Sequence, residues 1–280
     1  MHSLVLTLVV SLALSLLLGF ALGFFKKLFF VEVDEKVAQI RDALPGANCG
    51  ACGFPGCDGF AEAVATGEAP VNGCKVGAAP VTEKIAAILG TGGTAESEVC
   101  VLLCQGSHDV CKDKASYNGI QTCTAVKISI NGLKNCDWGC IGFGDCDRAC
   151  PFDAIHIKED GLPHVDYDKC TGCGICVAEC PQQILRTVPT TRTGALALCS
   201  CRNPKKAQIM KNCKRGCIKC MKCERNCPKG AIKVINGIPV TDYTLCDSCG
   251  LCVSGCPTKV LVLLENKLVF TGCPAHTATA

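Results

Sequence analysis

The sequence predicts an α+β chain: one membrane-spanning helix, then several small units whose cores are completed by metal–thiolate centres. Three observations carry this expectation. Residues 4–25 form an uncharged apolar run. Cysteine supplies 28 of the 280 residues, far above ordinary usage. Eight of those cysteines recur, in order and at a nearly constant offset, later in the chain. The 49% of apolar residues includes cysteine, and aromatics are only 5%. With the apolar run set aside, little hydrocarbon remains to hold so long a chain, so metals or disulfides must contribute. The formal net charge of +3 excludes a histone-like polycation and a strongly basic nucleic-acid binder.

The run LVLTLVVSLALSLLLGFALGFF is about 33 Å long as a helix, enough to cross a bilayer core. Lys26 and Lys27 follow at once. By the positive-inside rule this end stays in the cytoplasm, which places a single-pass anchor in the inner (cytoplasmic) membrane with the remaining chain on the cytoplasmic side. A cleaved signal peptide fits less well, because no basic stretch precedes the run and no small-x-small site follows it. Among reduced cytoplasmic thiols a disulfide framework is disfavoured and metal ligation favoured.

The first cysteine group is Cys49, Cys52, Cys57 and Cys74, set among Gly46, Gly50, Gly53 and Gly56. Glycine lets the backbone curl around an inorganic core and bring N–H groups to its sulfurs. Four ligands with one far along the chain suit a [4Fe-4S] cubane. Residues 58–66 read as a helix leading away from Cys57.

Three later runs share one spacing, Cys-x2-Cys-x2-Cys-x3-Cys-Pro: Cys170, Cys173, Cys176 and Cys180; Cys217, Cys220, Cys223 and Cys227; Cys246, Cys249, Cys252 and Cys256. This is the bacterial ferredoxin run, in which three close thiolates cup one cubane and the fourth serves the other cluster. A fourth run is irregular: Cys136, Cys140, Cys146 and Cys150 before Pro151. Moved along the chain by one repeat length, it falls on Cys213, Cys217, Cys223 and Cys227. An offset shorter by one position carries Cys170, Cys173, Cys176 and Cys180 onto Cys246, Cys249, Cys252 and Cys256. The chain therefore contains a duplicated two-cluster unit. Phe143 stands where the second copy has Cys220, and Cys136 is the natural replacement ligand. Each copy has an alternating hairpin pattern between its runs, AIHIKEDGLPHVD and AIKVINGIPVTD. Zinc fits poorly, since it prefers a single tetrahedron from two separated Cys pairs.

Eight cysteines remain: Cys100, Cys104, Cys111, Cys123, Cys199, Cys201, Cys213 and Cys273. Cys100, Cys104, Cys111 and Cys123 leave room for a sixth cluster beside the five; the alternative is buried, incidental thiols. Their surroundings read as a strand (VCVLLC), a helix and a strand (AVKISI). Trp138 is expected beside a cluster, and His108, His156 and His164 in structural roles. Residues 202–225 hold nine Lys or Arg against one acid, Glu224. Either they form a docking face for an acidic redox partner, or they offset the charge of the clusters, each about −2 when oxidised.

The order of anchor, then ANCGACGFPGCDGFAEAVATGEAPVNGC, then YNGIQTCTAVKISINGLKNCDWGCIGFGDCDRACPFDAI, then two ferredoxin-type units, resembles the B subunits of the Rnf complex, the ion-translocating ferredoxin:NAD oxidoreductase. The first cysteine group alone also resembles a domain of corrinoid iron–sulfur proteins. The Rnf resemblance covers nearly the whole chain, with two ferredoxin modules rather than one. It implies an anchor over 1–27, a mainly helical [4Fe-4S] domain over 28–80, an α/β linker segment over 81–133, ferredoxin-like modules over 134–190 and 191–265, and a tail over 266–280. By analogy with two-cluster ferredoxins it implies crossed ligation. Cys136, Cys140 and Cys146 go with Cys180; Cys170, Cys173 and Cys176 with Cys150; Cys217, Cys220 and Cys223 with Cys256; Cys246, Cys249 and Cys252 with Cys227. The function implied is electron relay from a soluble ferredoxin to membrane-embedded Rnf-type subunits, within a redox-driven translocase. No acid–base site is needed, and no nucleotide-binding glycine motif is present. A membrane-tethered polyferredoxin of another reductase or hydrogenase is the alternative.

Overall fold

The computed structural model describes residues 2–29, 34–265 and 269–271. Helix α1 (His2–Leu28) carries the apolar run. Its segment Val5–Leu28 has a mean hydropathy of 2.6, and none of it is buried against the rest of the chain. It is long and apolar enough to span a membrane. The Ser11 and Ser15 hydroxyls donate back to Leu8 O and Ser11 O, so these polar groups are satisfied within the helix, as hydrocarbon surroundings demand.

Three helices follow: α2 (Glu35–Ala43), α3 (Cys57–Thr66) and α4 (Ala78–Leu89). The Asp34 carboxylate caps α2 by accepting the Lys36 N–H. Gly67 and Gly90, both left-handed, end α3 and α4. The three pack through Ile40, Phe60 and Ile85, with Phe54 set 5.7 Å from Phe60. The helix expected after Cys57 is present. The α4 helix runs past residue 80, so the helical unit extends into the stretch read as linker.

The next elements are β1 (Glu98–Leu102), α5 (Cys123–Ile130), α6 (Asp145–Arg148), β2 (Ile155–Ile157), β3 (Pro163–Val165), α7 (Ile175–Glu179) and β4 (Leu185–Pro189). They are followed by β5 (Gly194–Ala197), α8 (Lys206–Asn212), α9 (Lys222–Arg225), β6 (Ile232–Ile235), β7 (Ile238–Thr241), α10 (Leu251–Ser254), β8 (Leu261–Glu265) and β9 (Val269–Thr271). The order strand, two helices, hairpin, helix, strand thus occurs twice. In each copy the first strand pairs antiparallel with the strand after the last helix: Glu98 opposite Pro189 through Leu102 opposite Leu185, and Gly194 opposite Leu264 through Ala197 opposite Leu261; β9 adds to the outer edge of β8. Both expected hairpins form, β2–β3 and β6–β7. An equivalent carboxylate steadies each. Asp147 accepts the Ile157 N–H, and Glu224, its counterpart in the second copy, accepts the Val234 N–H.

Two expectations change here. The segment AVKISI is helical, in α5. Alternation would place Val126, Ile128 and Ile130 on one side, but Val126 is buried and Ile128 is 81% exposed, which only a helical period allows. Thr122 caps the helix by accepting the Ala125 N–H. The stretch 81–133 is also more than a linker, because β1 completes the first copy's sheet.

Strand alternation then divides the core. Val99 and Val101 of β1 join Leu198, Val262 and Leu264 in a cluster shared between the copies. Cys100 and Leu102 face the other way, into the first copy's own interior. The loop that follows β1, before α5, crosses to the second copy, where Lys112 N–H donates to Asn212 O and Lys214 N–H to Val110 O.

Candidate metal centres

Each cysteine run is a loop curled by alternating left-handed residues. Gly142 and Gly144, Gly172 and Gly174, Lys219 and Met221, and Ser248 and Gly250 all have positive φ. They flank the middle position of their run, so the backbone bends around whatever the thiols hold. At Gly142 no other residue fits without displacement, because a Cβ there would stand 2.9 Å from Gly161 O. Three residues after each Cys-Pro cysteine the backbone is left-handed again, at Asp153, Gln183, Gly230 and Lys259. The chain thereby turns its next amide onto the sulfur. Ala154, Ala231 and Val260 donate to Cys150, Cys227 and Cys256 Sγ at 3.4, 3.3 and 3.4 Å.

The thiols gather around hollows in sets of four. Cys217, Cys220, Cys223 and Cys256 line one. Cys246, Cys249, Cys252 and Cys227 line another, with Ala195 in its wall. Cys170, Cys173, Cys176 and Cys150 are electrostatic neighbours. Cys74, whose Sγ accepts the Gly77 N–H at 3.4 Å, has Cys57, Cys52 and Cys49 as neighbours. In each ferredoxin-type run the fourth cysteine lies with thiols of the other run of its copy.

The hollow of the irregular run differs from expectation. Cys140, Cys146 and Cys180 line it together with Cys123, and Cys136 is not among its walls. Phe143 turns away into a small apolar cluster with Tyr117, their rings 6.2 Å apart. The α5 N-terminus fills the gap, because the Asp145 carboxylate accepts the Cys123 and Thr124 N–H groups at 2.9 and 3.0 Å. Cys136 instead lines a separate cavity with Cys104, Cys111, Cys199, Cys201 and Cys213. Nor do Cys100, Cys104, Cys111 and Cys123 form one group. Cys100 Sγ lies 3.4 Å from Cys176 Sγ, and the Cys100 N–H donates to Cys170 Sγ. Cys273 lies outside the described residues.

The donor set fits iron–sulfur clusters. None of the described cysteines is in a disulfide. Among the described residues no three His, Cys, Asp or Glu side chains converge on a point that a single ion would occupy. The thiols stand around hollows instead, as ligands of a polynuclear core must. Burial pushes the Cys140 thiol well up, Cys146 up to about 12, and Cys223 and Cys252 up to about 11. Such thiols stay protonated until a cation displaces the proton.

Comparison with known proteins identifies the same stretches of chain as iron–sulfur domains. A family model for an Fe-S cluster matches residues 44–76. A 4Fe-4S dicluster domain matches twice, over 135–194 and 216–260. The B subunit of the Na⁺-translocating ferredoxin:NAD⁺ oxidoreductase complex of Acetobacterium woodii is 39% identical over 84% of this chain and 70% of its own length. The B subunit of the ion-translocating oxidoreductase complex of Methanosarcina acetivorans is 38% identical over 85% of this chain and 89% of its own. The B subunit of the proton-translocating ferredoxin:NAD⁺ oxidoreductase complex of Clostridium ljungdahlii is 38% identical over 84% of each chain. The chain belongs to the family of Rnf B subunits.

In this Rnf B-type chain the histidines face carboxylates: His164 Nε2 is 3.0 Å from Asp160, His156 Nδ1 3.5 Å from Asp147, and His108 Nδ1 3.8 Å from Asp113. Trp138 packs beside the cysteine-lined core of the second copy. Of the nine basic residues over 202–225, Arg202, Lys205, Lys206, Lys211, Lys214, Lys222 and Arg225 are exposed. Among the described residues none of the nine is in an ion pair with a carboxylate, whereas Lys114 and Lys169 elsewhere are.

Proposed function

We propose that this chain relays electrons from reduced ferredoxin, through [4Fe-4S] clusters, to membrane redox subunits of an ion-translocating ferredoxin:NAD oxidoreductase. The observation that carries the reading is the recurrence of four-cysteine hollows in which one thiol comes from a distant run. The ligand sets are Cys49, Cys52, Cys57 and Cys74; Cys123, Cys140, Cys146 and Cys180; Cys150, Cys170, Cys173 and Cys176; Cys217, Cys220, Cys223 and Cys256; and Cys227, Cys246, Cys249 and Cys252. The two βαββαβ units are thus ferredoxin-like modules with crossed ligation, and Cys123 takes the part that spacing assigns to Cys136.

When bound, such a cluster supplies a reversible one-electron store. The chain's own groups decide how it behaves. The amides aimed at Cys74, Cys150, Cys170, Cys227 and Cys256 stabilise the more negative, reduced state and raise the potential. No proton transfer or nucleophile is required, which agrees with a subunit that conducts without a catalytic acid or base.

The soluble part is on the cytoplasmic side, as Lys26 and Lys27 direct. The exposed, unpaired basic stretch over 202–225 is the docking face for an acidic ferredoxin. Cys49 follows the apolar run at a short distance in sequence, so the helical unit hangs nearest the membrane and serves as the exit. Cys57→Ala in the assembled complex tests this order. Ferredoxin should still reduce the outer clusters while NAD reduction stops. NAD reduction at the normal rate would remove the exit role.

A further inference from the structure

We propose that six cysteines between the two modules form a further iron–sulfur site, which takes a [4Fe-4S] cluster in addition to the five above. The proposal rests on reading the chain as an iron–sulfur relay, and adds a centre at the junction of its modules.

The six are Cys104, Cys111, Cys136, Cys199, Cys201 and Cys213, and they line one cavity of about 30 Å³. Five of them belong to none of the five ligand sets by spacing, and the sixth, Cys136, is the thiol absent from the hollow of Cys140, Cys146 and Cys180. A packed interior leaves few voids larger than one water, so a cavity walled by six thiols is a site and not a packing fault.

The walls obey the symmetry of the duplication. Just past β1, Leu103 N–H donates to Ile184 O at 2.7 Å; just past β5, Leu198 N–H donates to Val260 O at 2.9 Å. Leu103 and Leu198 are therefore equivalent, and so are the next residues, Cys104 and Cys199. Each of these sulfurs accepts the amide two residues on, from Gly106 at 3.4 Å and Cys201 at 3.5 Å. Cys199 accepts a second amide, from Cys217, at 3.4 Å. Cys136 and Cys213 are equivalent in the register of the repeat. Two pairs of thiols, each contributed equally by the two copies, thus face one space with amides already directed at sulfur. Cys104, Cys199, Cys136 and Cys213 are the ligands. Cys201 and Cys111 line the same cavity but have no cysteine counterpart across the repeat, and are not ligands.

A second, independent feature demands an anion there. Lys134 lines the cavity and is 2% exposed, and its Nζ has no hydrogen-bond partner. Arg215 also reaches the wall, and among the described residues no carboxylate does. A buried ammonium without a counter-charge is strongly unfavourable. A four-thiolate cluster of charge about −2 supplies that counter-charge.

The test is iron, acid-labile sulfide and zinc per chain in the anaerobically purified full-length protein, with redox-titrated EPR. About 24 irons are expected, falling to about 20 with loss of one signal in Cys104→Ser/Cys199→Ser, and unchanged in Cys111→Ser/Cys201→Ser. About 20 irons in the unaltered chain, one zinc that the first variant loses, or full iron in that variant would each overturn the proposal. A chain without iron would instead overturn the relay reading itself. Should the double variant shed more than about four irons, the single Cys104→Ala decides: an unchanged spectrum defeats the site, and loss of one signal alone supports it.

Discussion

Replacing Cys123 by alanine separates the two candidates for the irregular run. Cys123 is 9% exposed, and the contacts that hold it are made by its backbone: its N–H and that of Thr124 donate to Asp145. Cys123→Ala keeps those bonds and loses little more than one buried atom, roughly 1 kcal/mol. The fold should survive while the hollow of Cys140, Cys146 and Cys180 loses its fourth thiol. Iron per chain should fall by about one to four atoms, with one EPR signal lost or altered. Phe143→Cys in the same background should restore the iron, because Phe143 stands at the middle position of the run between two left-handed glycines. Restoration has a cost. Phe143 is half-buried against Tyr117, so its truncation should cost about 2 kcal/mol, below the roughly 3–5 kcal/mol of a fully buried phenylalanine. In a unit of about 170 residues that lowers Tm by roughly 4–8 °C. Iron analysis, EPR and a thermal melt on the single and double variants check each step. Full iron in Cys123→Ala, or rescue by Phe143→Cys of Cys136→Ala in place of Cys123→Ala, would refute the assignment.

Other expectations follow from the same geometry. Cys100→Ala should keep every iron, since the equivalent wall position of the second module is already Ala195; iron loss would make Cys100 a ligand. Lys205→Glu, Lys206→Glu and Lys211→Glu combined should leave the iron intact, raise KM for a reduced acidic ferredoxin about tenfold, and flatten its dependence on ionic strength. Steady-state kinetics across a salt series decides that, and an unchanged KM would assign the basic stretch to charge compensation. Phe60→Ala removes a side chain that is 1% exposed at the centre of the helical unit and should destabilise it by about 3–5 kcal/mol. Protease susceptibility confined to residues 34–90, with the iron signals of the two modules retained, is the expected signature.

What the sequence disclosed was what short spacing encodes. A run such as Cys170–Cys180 fixes its own loop, because three thiols, two left-handed residues and a following proline lie close together along the chain. The duplication was legible for the same reason, and crossed ligation followed from resemblance to two-cluster ferredoxins. What escaped was set by contacts distant in sequence. Cys136 is close in sequence to Cys140, but Cys123 is brought to the hollow by the far-off Asp145, acting on a helix whose Val and Ile content reads as a strand. The β1 strand was legible in VCVLLC, but not that it closes the first module, since its partner β4 comes only at that module's far end. The six-cysteine cavity was invisible for a related reason: its walls come from three separate stretches of chain and match only under the symmetry of the two copies. The leftover cysteines were the one available signal, and pairing them with their counterparts across the duplication, rather than with their neighbours in sequence, would have found the site. In a chain whose core is this thin in hydrocarbon, a buried lysine without a counter-charge at the module junction, beside four buried and two half-buried thiols, is destabilising when the site is empty. That junction is therefore where cofactor loading should couple most strongly to stability, and removal of iron should loosen the contact between modules before either module unfolds.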